Sequence, residues 1–251
     1  MIRIYTFTYA GDAQEAVACV RCARTALPEA VVTVVDDSAA PVPPEARRAL
    51  VAYGARYRRS SFPRCGNLRG PECVRGIIAT LAKGAADGDT DTALLSGGWV
   101  REMKHNGLAL HAAGYRVPRN PSERSAYGNC YALSGRAARM AAEALECAAI
   151  PPLAPEDLTI CRAVMDVCGR ERVRLDEPWT PRNRAGRWSW WKWDSRTANP
   201  EDYARSYDVV SVGNPRPPHV PKSARREVMR ALCDARLNLN SQSIKPCQTE
   251  T

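Results

Sequence analysis

The chain has 251 residues, a length that suits one large α/β domain with or without a small appendage. Hydrophobic residues make up 45 % and charged residues 25 %, as in ordinary globular proteins, and no apolar run approaches the roughly 18 residues of a membrane helix. The net charge of +9 favours anionic partners, but no Lys/Arg run or nucleic-acid-binding signature accompanies it, so nucleic acid is not the expected partner.

Predicted strands and helices alternate along the first half of the chain. Residues 2–9 have the alternation of a strand, and residues 13–27 have apolar side chains at helical spacing. Residues 31–35 form a β-branched run, typical of a strand buried on both faces of a parallel sheet. Further helices are predicted at 45–53, 72–83, 101–113, 136–149, 155–168 and 223–237, and further strands at 55–58, 92–95, 131–133 and 173–175.

This order of elements predicts an α/β fold with an open, mostly parallel sheet flanked by helices. We expect it to span residues 1–178, with a Trp-rich C-terminal extension, residues 179–251, packed on it.

The extension contains five of the six tryptophans, between Trp179 and Trp193, among arginines and a lysine. Aromatic faces stack on sugar rings and arginines bind phosphates, so the segment could form an acceptor platform. The tryptophans could instead pack over the sheet, the interpretation we favour. Peripheral contact with a membrane surface and binding of single-stranded nucleic acid are further alternatives.

The sequence enters a strand-like run at once and shows no secretory leader, so we expect a cytoplasmic protein whose ten cysteines are reduced. Cys19 and Cys22 have the C-x-x-C spacing, but no second pair follows and zinc is not expected. The histidines, His105, His111 and His219, are scattered, and we expect surface or capping roles for them.

Polar residues follow three predicted strands, where ligands bind in open α/β sheets. They are Thr8-Tyr9, Asp36-Asp37 and the segment 96–98. An aspartate after a buried strand is well placed to accept hydrogen bonds from a ribose or a base, although Asp37 could also simply cap a turn.

Several segments, in this order along the chain, resemble the nucleotide-diphospho-sugar glycosyltransferases with the GT-A fold. They are Thr8-Tyr9, the V-V-D-D-S run that ends at Ser38, and the segments 65–70, 89–95, 128–134 and 155–160. The resemblance covers about residues 2–175. It implies a nucleoside held by Thr8, Tyr9, Asp36 and Asp37.

The same resemblance implies roles for later residues. Asn67, Arg69 and Arg75 would face the diphosphate, and Gly128, Asn129 and Tyr131 would lie beside the donor sugar and the acceptor. Glu156 or Asp157 would be the base that deprotonates an acceptor hydroxyl, although two acidic residues at a helix N-terminus are also good capping and dipole residues.

One departure concerns the metal. The family carries D-x-D at the end of its fourth strand, where it holds Mn²⁺ or Mg²⁺ against the leaving diphosphate. Here the predicted strand at residues 92–95 is followed by Ser96, Gly97 and Gly98. Asp89 and Asp91 have the right spacing but precede that strand, at its wrong end.

The resemblance therefore implies transfer of a sugar from a nucleotide-diphosphate donor to a saccharide or other hydroxyl acceptor. Three accounts of the missing D-x-D stay open: a metal-independent enzyme that uses arginines, an inactive nucleotide-sugar-binding relative, or a wrong alignment of this loop with the family pattern.

Overall fold

The computed structural model describes residues 1–64, 68–82, 85–89, 92–94, 97–112, 115–116, 125–126, 130–176, 188–193, 198–213 and 220–242. Among these residues, the helices are α1 (Ala13–Ala26), α2 (Pro44–Ala52), α3 (Pro71–Leu81), α4 (Gly98–His105), α5 (Gly135–Glu146), α6 (Glu156–Cys168), α7 (Pro200–Ser206) and α8 (Lys222–Gln242). The strands are β1 (Arg3–Thr8), β2 (Val31–Asp36), β3 (Arg56–Arg59), β4 (Ala85–Asp89), β5 (Thr92–Leu94), β6 (Leu110–Ala112), β7 (Tyr115–Arg116), β8 (Ser125–Ala126), β9 (Cys130–Leu133), β10 (Val173–Leu175), β11 (Trp188–Trp190) and β12 (Val209–Ser211).

The main sheet of the described part has the strand order β10-β6-β9-β4-β1-β2-β3. All of its neighbouring pairs are parallel except those that β9 makes with β4 and β6. This is the predicted open, mostly parallel sheet, and β1, α1 and β2 lie where the periodicity predicted them.

Helices cover both faces of this sheet because its strands are apolar on both sides. Tyr5 and Phe7 of β1 belong to a core with residues of α3, α5 and α6. The alternate residue Ile4 belongs to a second core with residues of α1, α2 and α4. The alternation along one strand therefore divides the interior into two layers.

The fourth strand of the main sheet differs from the prediction. It is β4, residues 85–89, which is paired with β1 on one side and β9 on the other. The predicted strand at residues 92–95 corresponds to β5, which belongs to a separate sheet with the order β11-β12-β5. The sequence A-A-D-G-D of β4 has no β-branched or large apolar residue, so its strand character comes from its two neighbours.

The predicted helix at residues 101–113 is also wrong in its second half. Helix α4 ends at His105, and Gly107 follows with φ of 63°. The Leu108 amide donates to the Met103 carbonyl at 3.0 Å, the six-residue closure of a Schellman motif. The chain then enters β6, so Gly107, and not Gly114, ends the helix.

His111, on β6, is fully buried, which corrects the surface role expected for it. Its ring nitrogens face two acceptors, the Trp99 carbonyl at 3.1 Å and the Asp176 carboxylate at 2.8 Å. Arg174 extends this network by donating to Asp176 and to Glu102.

The C-terminal segment packs on the N-terminal helix. Residues of α8 contact α1 in one consistent direction, so the two helices are parallel. The contacts are Lys222 with Asp12, Arg226 with Glu15, Met229 with Cys22, Cys233 with Thr25, and Asp234 with Arg21. Within the described residues, no helix combines the length and apolar composition of a membrane span.

Two tryptophans of the C-terminal segment favour the packing interpretation. Trp188 is 5 % exposed and lies in the core between the main sheet and α1. Trp191 is 8 % exposed and packs on Tyr203 at a centroid distance of 4.7 Å. Both rings are therefore covered by the protein itself.

Candidate functional site

The carboxyl ends of β1, β2 and β4 meet at one edge of the main sheet. Thr8 pairs with Asp36, and Phe7 pairs with Asp89. Asp89 thus ends a strand of the main sheet, which corrects the expectation that it lies at the wrong end of one. Because parallel strands bring these ends together, the Asp89-x-Asp91 sequence begins beside the residues predicted to hold a nucleoside.

Asp36 is fully buried and ties this edge together. Its carboxylate accepts hydrogen bonds from Ser38, Val42, Tyr57 and Arg59. Burial alone would raise its pKa, but the hydrogen bonds from Ser38, Tyr57 and Val42 outweigh burial and lower the pKa to about 2. With its oxygens used inside the protein, Asp36 has a structural role in place of the predicted nucleoside contact.

Asp37 has a different environment one residue later. Its carboxylate is buried and accepts from Nη1 of Arg64 at 2.9 Å and 3.0 Å. Burial raises the pKa of this carboxyl to about 6, although the Arg64 charge and hydrogen bond act in the opposite direction. The same guanidinium lies 4.6 Å from the centroid of the Tyr9 ring, a cation–π distance. Arg64 therefore joins Asp37 to Tyr9.

A second cation reaches Tyr9 from the other end of the chain. Lys222, the first residue of α8, donates to the Tyr9 hydroxyl at 3.2 Å, to the Gly11 carbonyl at 2.8 Å and to the Asp12 carboxylate. Its Nζ lies 5.1 Å from the Tyr9 ring centroid. We call Tyr9, Asp37, Arg64 and Lys222 the Tyr9 cradle.

The sequence analysis missed two members of the cradle, Arg64 and Lys222. Arg64 stands in a polar Gly/Pro loop without periodicity, and Lys222 stands 213 residues after Tyr9. No local pattern marks either residue. The only available signal was the excess of positive charge.

Thr8 and Tyr131 lie beneath the sheet edge. Thr8 is fully buried and its hydroxyl bonds to the Tyr9 carbonyl at 3.4 Å. Tyr131 is 1 % exposed and its ring belongs to the core. Their side chains support the edge from inside, in place of the direct ligand contacts predicted for them.

The loop that carries Arg69 is fixed to the start of α6. Arg69 forms an antiparallel bridge with Pro155, the Gly70 amide donates to the Ala154 carbonyl at 3.0 Å, and the Glu156 amide donates to the Leu68 carbonyl at 3.2 Å. The predicted diphosphate loop and the predicted base are therefore neighbours.

The carboxylates of Glu156 and Asp157 are nearly covered, with the residues 7 % and 3 % exposed. The Leu158 amide donates to the Asp157 carboxylate at 2.7 Å, within the first turn of α6. This geometry is that of negative charge stabilised by a helix N-terminus.

The Arg75 side chain, on α3, binds carbonyl groups at the end of α5. Its Nε donates to the Leu145 carbonyl and its Nη2 donates to the Ala148 carbonyl, both at 2.9 Å. These donors satisfy carbonyls at the end of α5. Arg75 thus stabilises a helix terminus, in place of the diphosphate contact predicted for it.

Four predicted site residues, Asn67, Gly128, Asn129 and Asp91, lie outside the described residues. Among the residues that are described, no three His, Cys, Asp or Glu side chains are grouped as metal ligands.

A small cavity of about 90 Å³ opens at the opposite edge of the sheet. Its lining residues include Ser134, Arg136, Met140 and Arg172. Ser134 follows β9, whose last residue, Leu133, pairs with the first residue of β6. A space of this size and place does not overlap the cradle and is too small for a nucleotide.

Comparison with known proteins bears on the fold. No protein-family model matches the sequence, and no curated protein matches it. Among solved structures, the chain is similar to the galactosyltransferase LgtC in complex with donor and acceptor sugar analogs. The TM-score is 0.52 and the identity 13 %, over 93 % of this chain and 96 % of that one.

The chain is also similar to two further glycosyltransferase structures. The bifunctional glycosyltransferase WbbM has a TM-score of 0.51 and 10 % identity, over 85 % of this chain and 46 % of that one. The glycosyltransferase GlyE of Streptococcus pneumoniae has a TM-score of 0.50 and 9 % identity, over 100 % of this chain and 66 % of that one. The chain therefore has the GT-A fold of nucleotide-sugar glycosyltransferases.

Proposed function

We propose that the chain is a glycosyltransferase that moves a sugar from a nucleotide-diphosphate donor to a hydroxyl acceptor. The observation that carries the proposal is the Tyr9 cradle, which combines an aromatic ring, a buried carboxylate and two cations at the carboxyl edge of a GT-A sheet. Such an edge is where open α/β sheets bind ligands. The three groups match the base, the ribose and the diphosphate of the donor.

Each group of the cradle has a role in this proposal. Tyr9 stacks on the base, and Asp37 accepts hydrogen bonds from the ribose or the base. A nucleoside that reaches Asp37 replaces Arg64 as its partner, which frees the guanidinium to pair with a phosphate. Lys222 supplies a second positive charge beside the same ring.

The proposal includes a divalent cation near Asp89, whose backbone ends β4 at this edge of the sheet. In this proposal Asp89 and Asp91 hold Mn²⁺ or Mg²⁺, because both ions prefer carboxylate oxygens. A bound cation would neutralise the charge of the leaving nucleoside diphosphate. The register of β4 against β1 supports this placement.

The acceptor side is proposed to lie near Gly128, Asn129 and the start of α6. Glu156 or Asp157 would take the proton from the acceptor hydroxyl. Arg69, bridged to Pro155, would lie between this base and the diphosphate.

Isothermal titration tests the donor site. UDP, GDP, dTDP and ADP are titrated into the full chain with and without MnCl₂, and at least one is expected to bind. Tyr9→Ala and Lys222→Met should each weaken that binding by about tenfold or more, because each removes a contact worth about 1–2 kcal/mol. Arg205→Met, which changes an exposed side chain of α7, is the matched control and should bind like the parent chain. Absence of binding by all four nucleotides overturns the proposal.

Two further measurements separate an enzyme from an inactive relative. MnCl₂ should tighten binding of the preferred nucleotide in the parent chain, and Asp89→Asn should remove that gain. Chromatography should show release of free nucleotide from the matching nucleotide sugar. Nucleotide binding without either effect would identify a binding protein in place of a transferase.

A further inference from the structure

Two cysteines far apart in sequence lie side by side between the first and last helices. Cys22 on α1 and Cys233 on α8 belong to one buried cluster between these two helices. The Cys22 sulfur is also 3.6 Å from the Met229 carbonyl, one turn before Cys233, and the Thr25 hydroxyl is 3.5 Å from the Cys233 sulfur. Each cysteine is 1 % exposed.

We propose that Cys22 and Cys233 form a site of reversible oxidation that takes a disulfide bond between α1 and α8. The structure supplies the two conditions that a long-range disulfide needs: adjacent thiols and parallel helices held in one register. Two ion pairs between the N-terminal segment and α8, Lys222 with Asp12 and Arg21 with Asp234, set that register.

The two thiols differ in reactivity. The hydrogen bond from Cys22 lowers the pKa of Cys233 to about 7, against the opposing effect of burial. For Cys22, the interaction with Cys233 and burial both raise the pKa of the thiol well above its ordinary value. Cys233 is therefore the attacking thiolate and Cys22 the resolving thiol.

The chemistry is thiol–disulfide exchange with a low-molecular-mass disulfide such as oxidised glutathione. Cys233, having lost its proton to solvent, attacks one sulfur of glutathione disulfide and releases one glutathione thiolate. The Cys22 thiol then loses its proton, and its thiolate attacks the Cys233 sulfur and displaces the second glutathione. The protein loses two electrons and two protons, and one glutathione disulfide becomes two glutathione thiols.

Both sulfurs are covered, so the exchange proceeds through local separation of α8 from α1. The product joins two helices across 211 residues. It also fixes α8 at a point three turns after Lys222, whose ammonium contacts Tyr9. Oxidation is therefore expected to hold Lys222 in place, while reduction leaves its position dependent on noncovalent contacts.

Mass spectrometry of the full chain tests the proposal. The reduced protein is incubated with glutathione disulfide at pH 8, in buffer and in a urea concentration below the unfolding transition. Tryptic mapping should recover a peptide pair that joins Cys22 to Cys233, with a mass loss of about 2 Da for the two hydrogens removed. The oxidised chain should melt about 5–10 °C higher than the reduced chain.

Three variants make the result specific. Cys22→Ser should trap a glutathione adduct on Cys233, and Cys233→Ser should yield no cross-link at Cys22. Cys19→Ser, one turn away on the same buried face of α1, is the matched control and should form the cross-link like the parent chain. Recovery of both cysteines as separate thiols in buffer and in urea overturns the proposal. A cross-link between Cys22 and a different cysteine overturns it as well.

Discussion

Asp36 and Asp37 are adjacent in sequence, yet the protein shifts their acid–base equilibria in opposite directions. The pKa of Asp36 falls to about 2 because four residues donate to its carboxylate. The contribution of Asp36 to the free energy of unfolding is present above pH 4 and is lost as the pH falls toward 2. The pKa of Asp37 rises to about 6 through burial. The contribution of Asp37 to the free energy of unfolding is present below pH 4 and is lost as the pH rises through 6.

The difference in stability between the parent chain and Asp37→Asn should therefore change with pH in a definite direction. Relative to the variant, the parent chain should lose stability as the pH rises from about 4 to about 7, and the difference should then become constant. Urea unfolding of both proteins across this range gives the measurement. A difference that does not change with pH would show that the pKa of Asp37 is not shifted.

His111 is the second residue whose role depends on burial. His111→Phe removes both hydrogen bonds of the ring and leaves the Trp99 carbonyl and the Asp176 carboxylate each with one partner fewer. Removing the partner of a buried polar group costs about 1–3 kcal/mol, so the loss of two such bonds should cost about 3 kcal/mol. Urea unfolding should show a loss of this size. Arg205→Gln, which breaks an exposed ion pair with Glu201 on α7, should cost less than about 0.5 kcal/mol. Similar losses for the two variants would contradict a structural role for the histidine network.

Some helices and strands could be predicted from the sequence and others could not. The predictions of β1, α1 and β2 were correct because each element has its own hydrophobic periodicity and is buried along one face or two. β4 was missed because alanine, glycine and aspartate do not favour strands, and its place in the sheet comes from β1 and β9. The missed β4 is also why Asp89 was expected at the wrong end of a strand.

The candidate site was predictable only in part, for a related reason. The strand ends at Tyr9 and Asp37 follow from the order of elements, because parallel strands bring their carboxyl ends together. Arg64 and Lys222 are brought to the same place by a loop and by a helix from the other end of the chain. Burial, which gives Asp36 and Asp37 different roles, is likewise a property of the folded chain.

The bridge between the Arg69 loop and the start of α6 depends on one glycine. Gly70 has φ of 85° and ψ of 170°, a region that glycine occupies almost alone, and a Cβ there would lie 2.7 Å from the Pro152 carbonyl oxygen. Gly70→Ala should therefore cost about 1–3 kcal/mol for the backbone and more for the clash.

Gly107→Ala is the matched control for Gly70→Ala. Gly107 also has positive φ, at 63°, but a Cβ there would meet nothing within 4 Å. It should cost only about 1 kcal/mol. Urea unfolding of both variants compares them, and equal losses would show that the Pro152 contact is not a constraint.

At the scale of the whole molecule, the described part of the C-terminal segment, residues 188–193, 198–213 and 220–242, shares buried clusters with the N-terminal elements. β12 lies between β11 and β5 in the second sheet, and α8 covers α1. A fragment of residues 1–178 should therefore be insoluble when expressed alone, because it exposes the apolar surface that α8 buries. The soluble yield of the fragment measures its solubility, and circular dichroism of any soluble fraction measures its folding.

Coexpression of residues 179–251 as a second chain should restore solubility. The same fragment with Val210→Asp, which places a charge at a fully buried position of β12, should not restore it. A soluble, folded fragment of residues 1–178 would show instead that the extension is dispensable.

The contact between Tyr9 and Lys222 joins residues 213 positions apart, and this separation has a consequence for biosynthesis. During translation, residue 9 emerges from the ribosome long before residue 222 has been added to the chain. β1, α1 and β2 can pair early, but the aromatic ring gains its lysine neighbour only when synthesis is almost finished. A nascent chain is therefore expected to acquire the sheet before it acquires a complete cradle.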